Sequence, residues 1–190
     1  DGDLLVVGES RDPSNKYVLA AARYNDDGTL DSEFGDGGTL NVNLAITGYG
    51  AVIQADGKIV IVGELDGDFA AVRLLSNGDL DTNFGIAGVQ QIDFDGGFDV
   101  ARSIAIAAGG KLVLAGFMSQ SGVSKMAVVQ LNGNDGSIDT NFGELGKQSI
   151  TFGGVTAVAS DLAIQNNGMI VLVGYTSTDT SGYDIAVTRL

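Results

Sequence analysis

A six-residue motif of the form apolar-Asp-x-x-Phe-Gly occurs three times and constrains the fold of this 190-residue chain most. Its apolar residue and its Phe stand four positions apart, on one side of a single helical or 3₁₀ turn. The Asp can cap the free N–H groups of that turn, and the closing Gly suits a left-handed exit. We therefore interpret the motif as a structural turn in a repeated unit. The motif residues are Leu30, Asp31, Phe34 and Gly35; Leu80, Asp81, Phe84 and Gly85; and Ile138, Asp139, Phe142 and Gly143.

A second repeated feature is a short, continuously apolar run that ends in glycine. The four terminal glycines are Gly8, Gly63, Gly116 and Gly174. They recur after 55, 53 and 58 residues, which is close to the length of a propeller blade. A continuously apolar run is typical of a strand that is buried on both faces.

These patterns predict an all-β chain, a β-propeller-like array of about 3.5 four-stranded antiparallel blades. The approximate units are residues 1–50, 51–100, 101–156 and 157–190. The strand count per unit is three, four, four and three, so we expect a segment of a larger or multi-chain ring. An open stacked solenoid and a β-sandwich are the alternative folds.

Composition narrows the function classes. The chain has 10 Lys and Arg against 24 Asp and Glu, a net charge of −14, which disfavours nucleic-acid partners. It has no Cys and no His, so disulfides, thiolate chemistry and Ser-His-Asp catalysis are excluded. No apolar run approaches the ~20 residues of a membrane helix, so we expect no membrane insertion.

Two further residue types recur with the motif. Arg23, Arg73 and Arg189 close an Ala/Val-rich run in three of the four units, and we expect each to pair with a nearby carboxylate, such as the motif Asp. The motif Phe residues are predicted to lie in the core. Nothing in the sequence marks a catalytic residue, a bound cofactor or a particular pair of carboxylates for glycoside hydrolysis.

With these residues aligned, the chain resembles the delta-sixty family of bacterial β-propeller repeats. The matching segments are Asp56-Gly57-Lys58-Ile59, Ala22-Arg23-Tyr24-Asn25 and Asp27-Gly28-Thr29-Leu30-Asp31 with Phe34-Gly35 and Gly38. Gln130 stands where the family has Arg, and Ile138 where it has Leu. The resemblance implies a module of large exported or surface proteins, extracellular or at the cell surface, with no catalytic residues to transfer.

One acidic segment stands out near the end of the second unit. Asp93, Asp95 and Asp99 surround a Gly-Gly turn and offer the carboxylate oxygens that Ca²⁺ prefers. The other units lack these acids, so a plain acidic loop is the competing interpretation. Ca²⁺ is thus the one cofactor that the sequence suggests.

The sequence leads us to expect a non-enzymatic scaffold, or an interaction surface for a protein or glycan. One alternative is a self-assembling subunit of an extracellular polymer or fibre, whose partners are further copies of itself. The other is a hydrolase or lyase that uses acidic residues on a propeller scaffold.

Overall fold

The computed structural model describes residues 2–178 and 182–190, which form strands joined by tight turns. One 3₁₀ turn, Ala108–Gly110, is present in this part of the chain. In chain order the strands are β1 (Leu4–Arg11), β2 (Tyr17–Tyr24), β3 (Thr39–Val42), β4 (Ile46–Ile53), β5 (Ile59–Leu65), β6 (Asp68–Leu74), β7 (Val89–Ile92), β8 (Phe98–Ile106), β9 (Leu112–Gln120), β10 (Val123–Leu131), β11 (Lys147–Ile150), β12 (Thr156–Ile164), β13 (Ile170–Ser177) and β14 (Tyr183–Arg189).

The strands form four antiparallel sheets in chain order. Blade 1 is β1-β2-β3, blade 2 is β4-β5-β6-β7, blade 3 is β8-β9-β10-β11 and blade 4 is β12-β13-β14. Every neighbouring pair of strands is consecutive in the chain and antiparallel, so each blade is a simple meander. The predicted all-β fold, with three, four, four and three strands, is therefore confirmed.

The blades pack face to face, and the hydrophobic core lies in three layers between them. One layer joins blades 1 and 2, the next joins blades 2 and 3, and the third joins blades 3 and 4. The first strands of blades 2, 3 and 4 (β4, β8 and β12) contact each other in turn, as inner strands around a propeller axis do.

In blades 2 and 3 the apolar runs of the sequence form the second strands, β5 and β9, whose two faces are both buried. In β5, Ile59 and Ile61 belong to the layer against blade 1, whereas Val60 and Val62 belong to the layer against blade 3. Because side chains alternate across a strand, a strand between two blades must be apolar at every position.

The glycine that ends the run has a steric cause in blades 2, 3 and 4. A Cβ on Gly63 would lie 1.8 Å from the carbonyl oxygen of Thr47, because the neighbouring inner strand has a β-bulge between Gly48 and Gly50. The equivalent Gly116 and Gly174 face the same kind of bulge in β8 and β12. The bulge brings the two backbones so close that only glycine fits.

Blades 2, 3 and 4 each begin earlier in the chain than the corresponding predicted unit. The unit boundaries at 50/51, 100/101 and 156/157 fall inside β4, β8 and β12. In β4 the apolar run starts late, at Ala51, because Gly48, Tyr49 and Gly50 occupy the bulge. Among the described residues, no helix has the length and apolar character to cross a membrane.

Candidate calcium site and the blade junctions

Each six-residue motif forms the turn between the last two strands of its blade, in blades 1, 2 and 3. In blade 1, Asp31 Oδ1 accepts a hydrogen bond from the Glu33 N–H at 2.9 Å, and the Phe34 N–H donates to the Asp31 carbonyl at 3.0 Å. The carboxylate of Asp81 caps the turn of blade 2 in the same way, with the Asn83 N–H at 3.2 Å. The Asp at this position therefore holds the turn closed.

The predicted pairing of arginine with the motif Asp is present in blades 1 and 2. Arg23 Nε lies 2.6 Å from Asp31 Oδ2, and Arg73 Nε lies 2.9 Å from Asp81 Oδ2. Burial alone would raise the pKa of Asp81, but the Asn83 N–H and the charges of Lys58 and Arg73 together lower it below 3.8. The ionised carboxylate is therefore the form that the native turn favours.

In blade 3 the motif Asp pairs with a lysine. Gln130 stands where the other blades have arginine, and Lys111 Nζ instead lies 3.0 Å from Asp139 Oδ2. The Lys111 ammonium is the main reason that the pKa of Asp139 is lowered. Blade 2 has the equivalent Lys58, with its Nζ 3.3 Å from Asp81 Oδ2, so blade 3 keeps the lysine of this arrangement and lacks the arginine.

Sequence reasoning missed the second role of these arginines, which is to join neighbouring blades. Arg73 donates to the carbonyl oxygens of Gly133 at 2.6 Å and Asn134 at 2.8 Å, both in blade 3. Arg23 likewise donates to the carbonyl of Ser76 in blade 2 at 2.6 Å. These acceptors lie more than 50 residues away in sequence, so no local pattern indicates them.

The motif Phe completes each junction. Phe34 and Phe84 are fully buried beneath the arginine of their own blade, with the guanidinium carbon 4.9 Å and 4.6 Å from the ring centroid. Their rings also contact Gly78 and Gly136, the turn glycines of the following blade. Phe142 of blade 3 is only partly buried. The core interpretation thus holds fully for the first two residues.

A group of three carboxylates lies at the junction of blades 2 and 3. Asp68 begins β6, Asp93 follows β7, and Asp99 is the second residue of β8. One oxygen atom of each lies within 4.8 Å of the others. Asp99 is fully buried, Asp68 is partly buried and Asp93 is exposed, so the group leads from the surface into the blade interface.

The buried carboxylate has an unusual environment. Burial, together with the charges of Asp68 and Asp93, raises the pKa of Asp99 to about 6, although the Phe94 N–H at 2.6 Å opposes the shift. Asp99 Oδ1 has no hydrogen-bond partner among the described residues. An orphaned buried carboxylate oxygen beside two further carboxylates is costly unless a proton or a bound cation neutralises the charge.

The three carboxylates that the structure brings together differ in one residue from the predicted calcium ligands. Asp93 and Asp99 are brought together, Asp95 lies outside the group, and Asp68 takes its place. Sequence reasoning missed Asp68 because it lies in another strand. The signal was the strand register, since Phe69 pairs with Ile92 and their neighbours Asp68 and Asp93 therefore lie at the same end of the sheet.

The blades, their shared apolar layers and the axial inner strands define the chain as a β-propeller repeat array. The family model described as "Domain of unknown function (DUF5122) beta-propeller" matches residues 1–34, 54–84 and 110–142, just over half of the chain. The chain therefore belongs to this β-propeller family. The resemblance to bacterial propeller repeats is confirmed at this level, without the narrower delta-sixty assignment.

Among solved structures, the chain is similar to a novel alpha-L-arabinofuranosidase from Clostridium thermocellum, with 12% sequence identity and a TM-score of 0.49. The match covers 100% of this chain and 65% of that one, so the chain spans less than two thirds of the length of that structure. No curated protein matches the chain significantly.

This comparison corrects one expectation from the sequence. We expected the chain not to be an enzyme, because no residue pattern marked a catalytic site. The expectation is contradicted, since a solved structure to which the whole chain is similar is that of an enzyme. The prediction of a non-enzymatic module is therefore withdrawn.

Proposed function

We propose that this chain is a self-assembling structural subunit, whose two end blades bind the end blades of further copies. The observation that carries the proposal is the exposure of apolar side chains on the outer face of blade 4. Ile185 is 84% exposed and Val187 is 58% exposed, although both lie in a regular strand. Exposed apolar faces of this kind favour association.

Equivalent positions in the other blades support this assignment. Ile185 precedes the residue that pairs with the run-ending glycine of its blade, as Phe69 and Met126 do in blades 2 and 3. Phe69 and Met126 are fully buried against the next blade. The outer face of blade 4 therefore carries an apolar side chain at the same strand position as the two faces that pack against a following blade.

The opposite end of the array carries the complementary face. Leu4 and Val6 of blade 1 are 60% and 48% exposed, and they correspond to Ile59 and Ile61 of blade 2. Those two residues are buried against the preceding blade. The free face of blade 1 thus corresponds to the face of blade 2 that packs against the preceding blade. The free face of blade 4 corresponds to the faces of blades 2 and 3 that pack against the following blade.

The contact that follows is head to tail. A contact between two different faces leaves one of each free, so it produces a closed ring when the rotation closes and a filament when it does not. The occupant that fits each face is a blade of the same repeat, and in the proposed assembly a second copy supplies it.

We also propose an exported or cell-surface location for this assembly. Its support is the likeness to repeat modules of exported bacterial proteins, together with a chain that contains no cysteine and carries a net charge of −14. Fractionation of native cells followed by immunodetection tests this part, and exclusive recovery in the cytoplasm would contradict it.

Light scattering after gel filtration tests the assembly, with one variant for each face. The tail variant carries Ile185→Asp and Val187→Asp, and the head variant carries Leu4→Asp and Val6→Asp. We expect the wild type to associate as its concentration rises and each variant alone to remain at the monomer mass of 19.4 kDa. Ile86→Asp is the matched control, because Ile86 is equally exposed but lies in a loop away from both end faces.

The head-to-tail geometry makes a sharper expectation. Each variant keeps one intact face, so an equimolar mixture of the two is expected to form a dimer and nothing larger. A wild type that stays monomeric at every concentration, or variants that associate like the wild type, would overturn the proposal.

A further inference from the structure

The buried carboxylate of Asp99 occupies a position that the other blades fill with an apolar residue. In each inner strand this position lies two residues before the one that pairs with the run-ending glycine. The equivalent residues are Ile46 in blade 2 and Ala157 in blade 4, both buried. The fold therefore accepts an apolar side chain here, and a charged one needs a separate explanation.

The two other carboxylates are also particular to this junction. At the junction of blades 1 and 2, the positions of Asp68 and Asp93 are taken by Val18 and Asn43. At the junction of blades 3 and 4, they are taken by Lys125 and Thr151. Three acids thus converge at one of the three junctions, although the backbone is the same at each.

Hydrogen bonds orient one oxygen of every carboxylate in the group. Gln91 Nε2 donates to Asp68 Oδ2 at 2.8 Å, the Gly96 N–H donates to Asp93 Oδ1 at 2.5 Å, and the Phe94 N–H donates to Asp99 Oδ2 at 2.6 Å. The remaining oxygens have no hydrogen bond from the described residues. The group therefore holds three fixed carboxylates, each with an oxygen to spare.

No side chain of the described residues neutralises this charge. Lys147 is the nearby cation, but its Nζ donates to the backbone carbonyl of Asp93 and lies 5.4 Å from the centroid of the Phe94 ring. It forms no ion pair with Asp68, Asp93 or Asp99. Three neighbouring carboxylates without a counter-charge repel one another.

We propose that Asp68, Asp93 and Asp99 bind one calcium ion at the junction of blades 2 and 3. Calcium prefers several carboxylate oxygens in an irregular arrangement, and the partly exposed position leaves room for water ligands. Asp68 and Asp93 belong to blade 2 and Asp99 to blade 3, so the ion links two blades. The unpartnered oxygen of Asp99, buried in the interface, is the observation that separates this group from an ordinary acidic patch.

Calorimetric titration and thermal unfolding of the full chain, with calcium chloride or a chelator at constant ionic strength, test the proposal. Calcium sites of extracellular modules have dissociation constants of roughly 10⁻⁴–10⁻³ M, so about 10 mM calcium is expected to raise Tm by roughly 3–10 °C. Titration is expected to give one site per chain.

Isosteric variants separate this site from general attraction to an acidic surface. Asp99→Asn is expected to abolish the calcium-dependent rise in Tm, and in chelator to melt no lower than the wild type, because it buries a neutral amide in place of a carboxylate. Asp68→Asn is expected to weaken binding at least tenfold. Asp95→Asn is the matched control, since Asp95 is an exposed acid in the same loop but outside the group.

Two results would overturn the proposal. The first is a wild-type Tm that calcium leaves unchanged. The second is an Asp99→Asn variant with the full calcium response, or an Asp95→Asn variant that loses it, because either would place the binding elsewhere.

Discussion

The ring of Phe84 lies directly over Gly136 of the following blade, and a Cβ on that glycine would be 2.8 Å from the ring. The same contact joins Phe34 to Gly78 one blade earlier. The turn glycine and the motif Phe are therefore two halves of one inter-blade contact, and the repeat conserves its geometry although its parts lie in different units.

The first prediction concerns this contact. Gly136→Ala is expected to destabilise the chain, because its new methyl group meets the Phe84 ring and its backbone has a positive φ of 77°. Gly153→Ala is the matched control, with a φ of 75° and open space around a Cβ. Overpacking predicts that Gly136→Ala costs roughly 1–3 kcal/mol more than the control in chemical denaturation. Equal losses of unfolding free energy in the two variants would show that the Phe84 ring moves aside at no cost.

The second prediction concerns the buried arginine. Arg73 is 1% exposed and bonds both to Asp81 and to two carbonyl groups of the next blade. Arg73→Met removes one partner of a buried ion pair and is expected to cost about 3–5 kcal/mol of unfolding free energy. Arg23→Met, at the more exposed junction of blades 1 and 2, is expected to cost less than half of that. A larger loss at Arg23 would contradict the ranking.

The third prediction concerns acid sensitivity. Asp81 has a native pKa below its ordinary value of 3.8, so its ionised form stabilises the folded state above about pH 4. That stabilisation is lost as the pH falls through the native pKa. The free energies of unfolding of the wild type and of Asp81→Asn, measured from pH 7 to pH 2, are thus expected to differ most near neutrality and to converge in acid. A constant difference would exclude the ionised carboxylate as the cause.

The fourth prediction compares the motif phenylalanines. Phe84→Ala is expected to cost roughly 3–5 kcal/mol, because a fully buried ring leaves a cavity between two blades. Phe142→Ala is expected to cost less, since Phe142 is only partly buried. Urea denaturation of both variants measures the difference, and equal losses would contradict the burial argument.

Local patterns were enough to predict the strands and the motif turns. The continuous apolar runs predicted strands with two buried faces, and Gly63 marked the end of one run. The physical cause of that glycine, however, is a bulge in the adjacent inner strand, and a single-residue insertion among Gly48, Tyr49 and Gly50 has no distinctive sequence pattern. The predicted units at 51, 101 and 157 therefore begin five, three and one residues after the first residue of β4, β8 and β12.

Contacts across strands and blades were harder to predict. Asp68 and Asp93 come together through the register of a strand pair, and Arg73 reaches carbonyl groups of another blade. Neither relationship depends on sequence spacing within one unit. Predicting the acidic group needed the pairing of Phe69 with Ile92, which only the folded sheet supplies.

The three inner-strand bulges have a consequence for how the repeat can change. Each bulge adds one residue that has no partner across the sheet, and these residues are Tyr49, Arg102 and Ser160. An aromatic, a cationic and a hydroxyl side chain thus occupy the same place in three otherwise similar blades. The array can diversify the chemistry beside its axis one blade at a time, while the layers between blades stay unaltered.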